Sequence, residues 1–451
     1  MNVCVYTLGC RLNQAESEAV ADAFSKAGFF VVDEESDVDL YVVNTCTVTS
    51  KAEQKCRRMI RKFAENAPVI VTGCYAQLNA GELSALSPNV TVYSLDRKAS
   101  LMGLPSYLEG KLDEGMELHA AVRTYRGGTT DRFAFDANSF SYHSRAYLKI
   151  QDGCDNACAY CRVHVARGKA LDLDAEVVVQ RALRLEEEGF HEIMLTGVNL
   201  TMYDHRGEGL GALVEKLLLH LGSDVRLRLS SMEPDHVDDR LIDTFADYRM
   251  QPHFHIPVQS ASRKVLRRVN RFNDMDRIGT IIMRLREMKD DPFLAADVIT
   301  GLPSEGDAEF QETYDFFRQY DFSMLHVFPF SPRPDTPLYT AKDRVPESIR
   351  DERAKILREL AERHHQAYKE RQGGKCAEVI LEQRKGGFWY GTTGNYLDVR
   401  VLDAPPFARR GDLLPVVFEK GGMKVRLDSD VPVRKDGASS RLLSVSRDPC
   451  R

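Results

Sequence analysis

The stretch AYLKIQDGCDNACAYCRVH, residues 146–164, decides the fold. Residues 146–150 read as a short strand, and three thiols follow it: Cys154, Cys158 and Cys161, spaced C-x3-C-x2-C. Two chemistries call for thiols held so close together. One is structural zinc, since His164 extends the spacing to a Cys3His set. The other is an iron–sulfur cluster on three thiolates, with one iron left open for a reactant. The loop follows the strand that opens a β/α series, the position where such folds place their chemistry, and this favours the cluster.

Downstream, strand-like runs recur at 192–198, 225–231, 254–259, 294–301 and 324–330, with helical periodicity between them. Six β/α units predict a partial TIM-like (β/α)6 barrel over 144–371, including a charged trailing helix. Upstream, residues 1–104 alternate short apolar strands with helices, which predicts a parallel-sheet α/β domain. Here Cys10, Cys46 and Cys74 each directly follow a strand, in TLGC, NTC and TGC. Parallel strands end on one edge of their sheet, and ligands gather outside those ends. Three distant thiols are thereby brought towards a second metal or cluster site. Cys4 lies inside a strand and Cys56 inside a helix, so both read as plain core residues.

The chain has 451 residues, more than one hydrophobic core can hold. Residues 105–143, with paired glycines and mixed charge, read as a connector. Residues 372–438 hold short strands and Gly-rich turns, which predict a small antiparallel β-barrel; 439–451 is a polar tail. Ten cysteines are too few for a disulfide scaffold. No run is long and apolar enough for a membrane helix, and the N-terminus lacks a signal-peptide pattern, so the expectation is a cytoplasmic protein with free thiols and no membrane. A net charge of −6 argues against a globally basic nucleic-acid binder, though not against local basic patches.

Such a patch occurs at 51–62, with six basic residues and one acidic one, directly after the Cys46 loop. Lys51, Arg57, Arg58 and Arg61 on it are candidates for a phosphate backbone. In the small barrel, Lys385 and Tyr390 sit in RKGGFWYG, a basic and aromatic pairing suited to RNA. Past the later strands of the large barrel lie Gly197, Asn199, Ser230, Glu233, Gln259, Asp297 and Gly301. Singly each suits a turn or a helix cap. Together they can line a rim for a nucleoside-like cofactor, with a carboxylate for ribose and a glycine where backbone approaches a base.

CDNACAYC after YLKIQDG resembles the radical S-adenosylmethionine enzymes. TLGCRLNQAESE, VVNTCTVT and VTGCYAQ resemble their methylthiotransferase family, and the small C-terminal barrel resembles its TRAM module, an RNA-binding domain. TGVNL and HVFPFSPRPDTP look most like the branch acting on threonylcarbamoyladenosine in tRNA. The resemblance implies two 4Fe-4S clusters, on Cys154/Cys158/Cys161 and on Cys10/Cys46/Cys74, with S-adenosylmethionine at the open iron of the first. It implies a radical that activates carbon 2 of the tRNA adenine, sulfur supplied at the second cluster, and an electron donor such as a flavodoxin or ferredoxin. Tyr160 joins the cofactor candidates, with Glu233 for ribose and Gly197 and Asn199 for the amino-acid part. Arg333 joins the RNA candidates.

The chain departs from the family pattern in four places. Arg162, Val163 and His164 stand where two aliphatics and a proline are usual, and residues 169–174 replace an Arg-Ser-Arg. Ala261 and Asp335 stand where glycines are usual. Alternatives within the family are the isopentenyladenosine and ribosomal-protein branches. The alternative outside it is a non-catalytic tRNA-binding protein, stabilised by zinc on Cys154, Cys158, Cys161 and His164.

Overall fold

The computed structural model describes residues 1–429. Its N-terminal part runs β1 (Asn2–Thr7), α1 (Arg11–Lys26), β2 (Phe30–Val31), β3 (Leu40–Thr45), α2 (Ser50–Ala64), β4 (Val69–Gly73), α3 (Cys74–Leu78) and β5 (Val90–Val92). All five strands pair in parallel, in the order β2-β1-β3-β4-β5. Strands β3 and β4 are buried along their whole length, as helices on both faces require. Thr49 caps α2, accepting from the Ala52 N–H at 3.1 Å. That helix buries Cys56, Ile60 and Phe63, and its basic residues lie mainly on the outer face.

Residues 105–143 do more than connect. The helices Leu104–Asp113 and Leu118–Thr124 place Leu108, Ala121, Val122 and Tyr125 in the same core as Val3, Val5 and Phe24. Each helix is short, so its apolar period is masked by the surrounding glycines and charges.

The central part contains β6 (Ala146–Lys149), β7 (Gln151–Asp152), β8 (Leu171–Asp172), β9 (Glu192–Thr196), β10 (Asp204–His205), β11 (Glu208–Gly209), β12 (Arg226–Leu229), β13 (His253–Gln259), β14 (Phe293–Thr300) and β15 (Met324–Pro329). β6-β9-β12 and β13-β14-β15 form two parallel groups, joined by a bridge from Leu227 to Met250. Helices between the strands bury residues such as Val178, Leu213, Ile282 and Phe317 against Ile193, Leu227 and Val298. The short antiparallel pair β7–β8 carries the Cys154–Cys161 loop between its strands.

After the long helix Glu347–Arg371 come β16 (Cys376–Lys385), β17 (Phe388–Thr393), β18 (Asp398–Val401), β19 (Leu413–Phe418) and β20 (Lys424–Leu427). They close a barrel in the order β16-β17-β18-β20-β19. The expected all-antiparallel arrangement is corrected at one seam, where β18 and β20 run parallel. Five is an odd number of strands, so strict alternation cannot close the ring. Residues 430–438 of the expected barrel and the tail 439–451 lie outside the described residues.

The small barrel is anchored. Tyr368 of the long helix packs edge-on against Phe293, and its hydroxyl accepts from Asn395 Nδ2 at 3.0 Å. Tyr396, in the β17–β18 turn, stacks on His253 at 4.1 Å between centroids. The guanidinium carbons of Arg228, Arg145 and Arg11 lie 4.9, 5.4 and 5.6 Å from its ring centre. Among the described residues, no helix is long and apolar enough to cross a membrane.

Candidate functional site

Backbone geometry sets the cysteines in place. Gly73, at φ +100°, precedes Cys74, and a Cβ on it would stand 2.4 Å from the Thr45 carbonyl oxygen. Only glycine lets the end of β4 approach the Cys46 loop so closely. Gly153, at φ +72°, precedes Cys154 and passes the Lys169 carbonyl in the same way. The Cys154 N–H donates to the Gly168 carbonyl at 3.0 Å, which closes the base of the loop.

Each thiol of this loop has a donor. Asn199 Nδ2 lies 3.8 Å from Cys154 Sγ, Arg271 Nη1 lies 3.6 Å from Cys158 Sγ, and the Val163 N–H lies 3.4 Å from Cys161 Sγ. Burial pushes all three thiols up, Cys161 to about 11. A ligand that replaces the protons relieves this cost, and donors to sulfur favour the thiolate. Cys161 is partly open to solvent.

Cys10, Cys46 and Cys74 converge from the ends of β1, β3 and β4. Burial, with Cys10 and Cys74 close by, raises the Cys46 thiol to about 12. A Cβ on Gly9 would stand 3.3 Å from Cys46 Sγ. Cys46 and Cys74 are buried, while Cys10, at the head of α1, is open to solvent along one side.

Among the described residues, the only three metal-type side chains with ligand atoms all within 4.8 Å of one another are His255, Asp297 and His326. Neither cysteine triple is drawn that tightly, with or without His164. A tetrahedral zinc with Zn–S bonds of about 2.3 Å holds its sulfurs about 3.8 Å apart. A cubane cluster takes each thiolate at a different corner and needs the wider spacing. Three separate thiolates on the Cys154–Cys161 loop suit the separate corners of such a cluster.

Arg167 joins the two cysteine sets. It lies at the end of the short helix Val163–Arg167, just after Cys161, and its Nε donates to Cys74 Sγ at 3.3 Å. Its other nitrogens reach Glu16 Oε1 and Oε2 at 3.1 Å, Asp152 Oδ1 at 2.9 Å and Asn13 Oδ1 at 2.9 Å. Lys149 meets Glu16 and Asp152, each at 2.7 Å, and Lys98 also contacts Glu16. Burial opposes ionisation of Glu16, but Arg167, Lys149 and Lys98 outweigh it and hold the carboxyl well below its usual range. The acidic residues Glu16, Glu18 and Asp22 of α1 are thus buried.

The rim candidates divide. Tyr160 and Asn199 lie at the cysteine loop, and the Tyr160 hydroxyl is 3.5 Å from Arg271 Nη1. The Ser230 hydroxyl is buried without a hydrogen-bond partner. Gln259 sits at φ +67° on the irregular end of β13. The Glu233 carboxylate is engaged by Arg271, and Asp297 Oδ1 lies 3.0 Å from His255 Nε2. Two of the candidate glycines lie tight against neighbouring side chains. A Cβ on Gly197 would strike Gln151, whose Oε1 accepts from the Val198 and Asn199 N–H groups at 2.9 Å. A Cβ on Gly301 would strike Arg350. Both glycines make room for a neighbouring side chain.

Among the RNA candidates, Lys51, Arg58, Arg61 and Lys385 are exposed and Tyr390 is half-buried. Arg57 pairs with Tyr75 and Glu82. Arg333 is corrected: it is 3% exposed and ion-paired with Glu53, so it belongs to the interior. No local pattern marks Arg271 or Glu16: Glu233 lies 38 residues from Arg271, and Lys149 lies 133 residues from Glu16.

Residues 2–94 match the family described as "Uncharacterized protein family UPF0004", and residues 148–317 match the Radical SAM superfamily. A threonylcarbamoyladenosine tRNA methylthiotransferase of Treponema pallidum is 34% identical over 98% of this chain and 100% of its own. The Bacillus subtilis protein of that name is 33% identical over 88% and 89%. A tRNA-2-methylthio-N(6)-dimethylallyladenosine synthase of Erythrobacter litoralis is 30% identical over 92% and 97%. Among solved structures, the radical S-adenosylmethionine methyltransferase TsrM of Kitasatospora setae superposes with TM-score 0.53 at 14% identity, covering 75% of this chain and 74% of its own. That likeness concerns the fold. With this coverage and these cysteines, the chain belongs to the radical S-adenosylmethionine methylthiotransferase family, an enzyme class using S-adenosylmethionine and a 4Fe-4S cluster, and groups with its threonylcarbamoyladenosine tRNA branch.

Proposed function

We propose that this enzyme adds a methylthio group to carbon 2 of threonylcarbamoyladenosine beside the anticodon of a tRNA, using two 4Fe-4S clusters. Cys154, Cys158 and Cys161 hold the cluster that binds S-adenosylmethionine, and Cys10, Cys46 and Cys74 hold the second. The observation that carries this reading is the Arg167 bridge, which ties the end of one cysteine loop to a thiol of the other set. When bound, the clusters and S-adenosylmethionine supply the radical, the sulfur and the methyl group that side chains cannot.

The chain's own residues orient and shield. Arg271 fixes Cys158, Tyr160 and Glu233 in one group; burial works against its charge, and Tyr160, Glu233 and Cys158 more than restore it. Asn199 steadies Cys154, and Ser230 offers an unengaged hydroxyl at the rim. Gln259 and Asp297 lie on neighbouring strands of the same wall. Lys51, Arg58 and Arg61 on α2, with Lys385 and Tyr390 on the small barrel, form the RNA-facing surface. A flavodoxin- or ferredoxin-class protein delivers electrons, and the enzyme works in the cytoplasm.

Nucleoside mass spectrometry of tRNA from a strain lacking the gene tests this proposal. Loss of methylthio-threonylcarbamoyladenosine, with its unthiolated parent accumulating, is the expected result. Loss of the isopentenyl derivative would move the substrate to the other tRNA branch. An unchanged nucleoside profile would overturn the tRNA assignment.

A further inference from the structure

Arg162 directly follows Cys161, is 3% exposed, and reaches into the N-terminal domain. Its Nη1 donates to Thr47 Oγ1 at 3.2 Å and to Glu53 Oε1 at 2.7 Å. Its Nη2 donates to Asn79 Oδ1 at 3.0 Å and to Asp335 Oδ2 at 2.8 Å. Thr47 is the residue after Cys46, and Asn79 ends the helix that begins at Cys74. One guanidinium therefore touches the segments carrying Cys46, Cys74 and Cys161.

The remaining contacts brace it. Glu53 Oε1 also accepts from Thr47 Oγ1 at 2.5 Å and from Arg333. Two arginines share this largely buried carboxylate, and Asp335 supplies the second negative charge at the outer edge, where its side chain is 57% exposed. Asp335 holds φ +64°, a backbone state in which glycine is the unstrained choice. A strained aspartate facing an additional arginine is a matched pair. Its planar fork lets arginine hold four acceptors at once, which an ammonium cannot.

We propose that Arg162 is a positioning residue: it clamps the Cys46 loop and the end of α3 onto the Cys161 loop and so fixes the spacing between the two cysteine sets. What this spacing accomplishes, delivery of activated substrate to the sulfur-bearing site, rests on the proposed two-cluster function. The clamp itself rests on the contacts alone.

The experiment is alkylation of the iron-free full-length chain with iodoacetamide, read per cysteine by peptide mass spectrometry. Cys4, buried in β1, serves as the internal control. Arg162→Leu is expected to raise Cys46 labelling at least about threefold by local opening while Cys4 stays protected. Arg162→Lys should fall between, because an ammonium reaches fewer of the four acceptors. If Arg162→Leu does not fold, Asn79→Ala and Arg162→Lys carry the test. In the reconstituted enzyme, 5′-deoxyadenosine formed per methylthio product should rise in parallel. Wild-type Cys46 labelling in these variants, or equal deprotection of Cys4, would overturn the clamp. If the labelling contrast holds but the wild-type enzyme makes no methylthio nucleoside, the clamp stands and the proposed function falls.

Discussion

Arg167 Nε lies 3.3 Å from Cys74 Sγ, although the two residues belong to different domains. The same guanidinium holds Glu16 and Asp152. Arg167→Leu leaves those carboxylates to two lysines and strips Cys74 of its donor. The expected cost is about 3–5 kcal/mol, as for breaking a buried pair. Urea denaturation of the iron-free chain measures it, and iron per chain after reconstitution should fall as well. Wild-type stability would mean that Lys98 and Lys149 suffice.

Gly73→Ala and Gly28→Ala separate close approach from backbone strain. Both glycines have positive φ, +100° and +80°, but a Cβ on Gly28 meets nothing within 4 Å. Gly28→Ala should cost about 1 kcal/mol. Gly73→Ala must also push Thr45 away and should cost more than about 4 kcal/mol, with loss of iron binding. Thermal denaturation of the two variants side by side checks this, and similar melting temperatures would contradict it.

Glu192 gives the stability a pH dependence. It is fully buried between Arg228, at 2.7 Å, and Arg226, at 3.1 Å. Burial opposes its charge, yet the two arginines hold its carboxyl at about 2. A carboxyl lowered on folding stabilises the protein above its unfolded value, near 4.3, and that contribution fades as pH falls towards 2. The contribution is on the order of 3 kcal/mol at neutral pH. Urea midpoints should therefore drop between about pH 5 and pH 2. Glu192→Gln should be less stable at pH 7 and show a shallower acid slope.

The cysteine sets should separate under mutation. Cys10→Ala is expected to abolish methylthio transfer while leaving S-adenosylmethionine cleavage, read as 5′-deoxyadenosine. Cys158→Ala should abolish both. Iron should fall from about eight per chain to about four in each variant. Full methylthio transfer by Cys10→Ala would remove the second cluster from the mechanism.

The convergence of Cys10, Cys46 and Cys74 was legible in the sequence because of a topological rule: each stands just past a parallel strand, and parallel strands end together. Their supports were not legible. Glu16 meets Lys149 across 133 residues and Arg162 meets Asp335 across 173, and no periodicity connects such positions. A charged side chain reads by default as solvated. Arg333, an RNA candidate by resemblance, turns inward to Glu53. On α1, Glu18 likewise turns inward and receives the Ser141 N–H at 2.8 Å and the Tyr142 N–H at 3.1 Å.

Tyr396 gives the small barrel a fixed address. Its ring is pinned between His253 and three arginines, two from the large barrel's strand region and one from the residue after Cys10. A module fastened in this way cannot swing on a tether. On the proposed function, an RNA gripped at Lys385 and Tyr390 is presented at one set offset from the cysteine cleft. The enzyme then works as a calliper, choosing its base by reach along the tRNA as well as by the fit of the base itself.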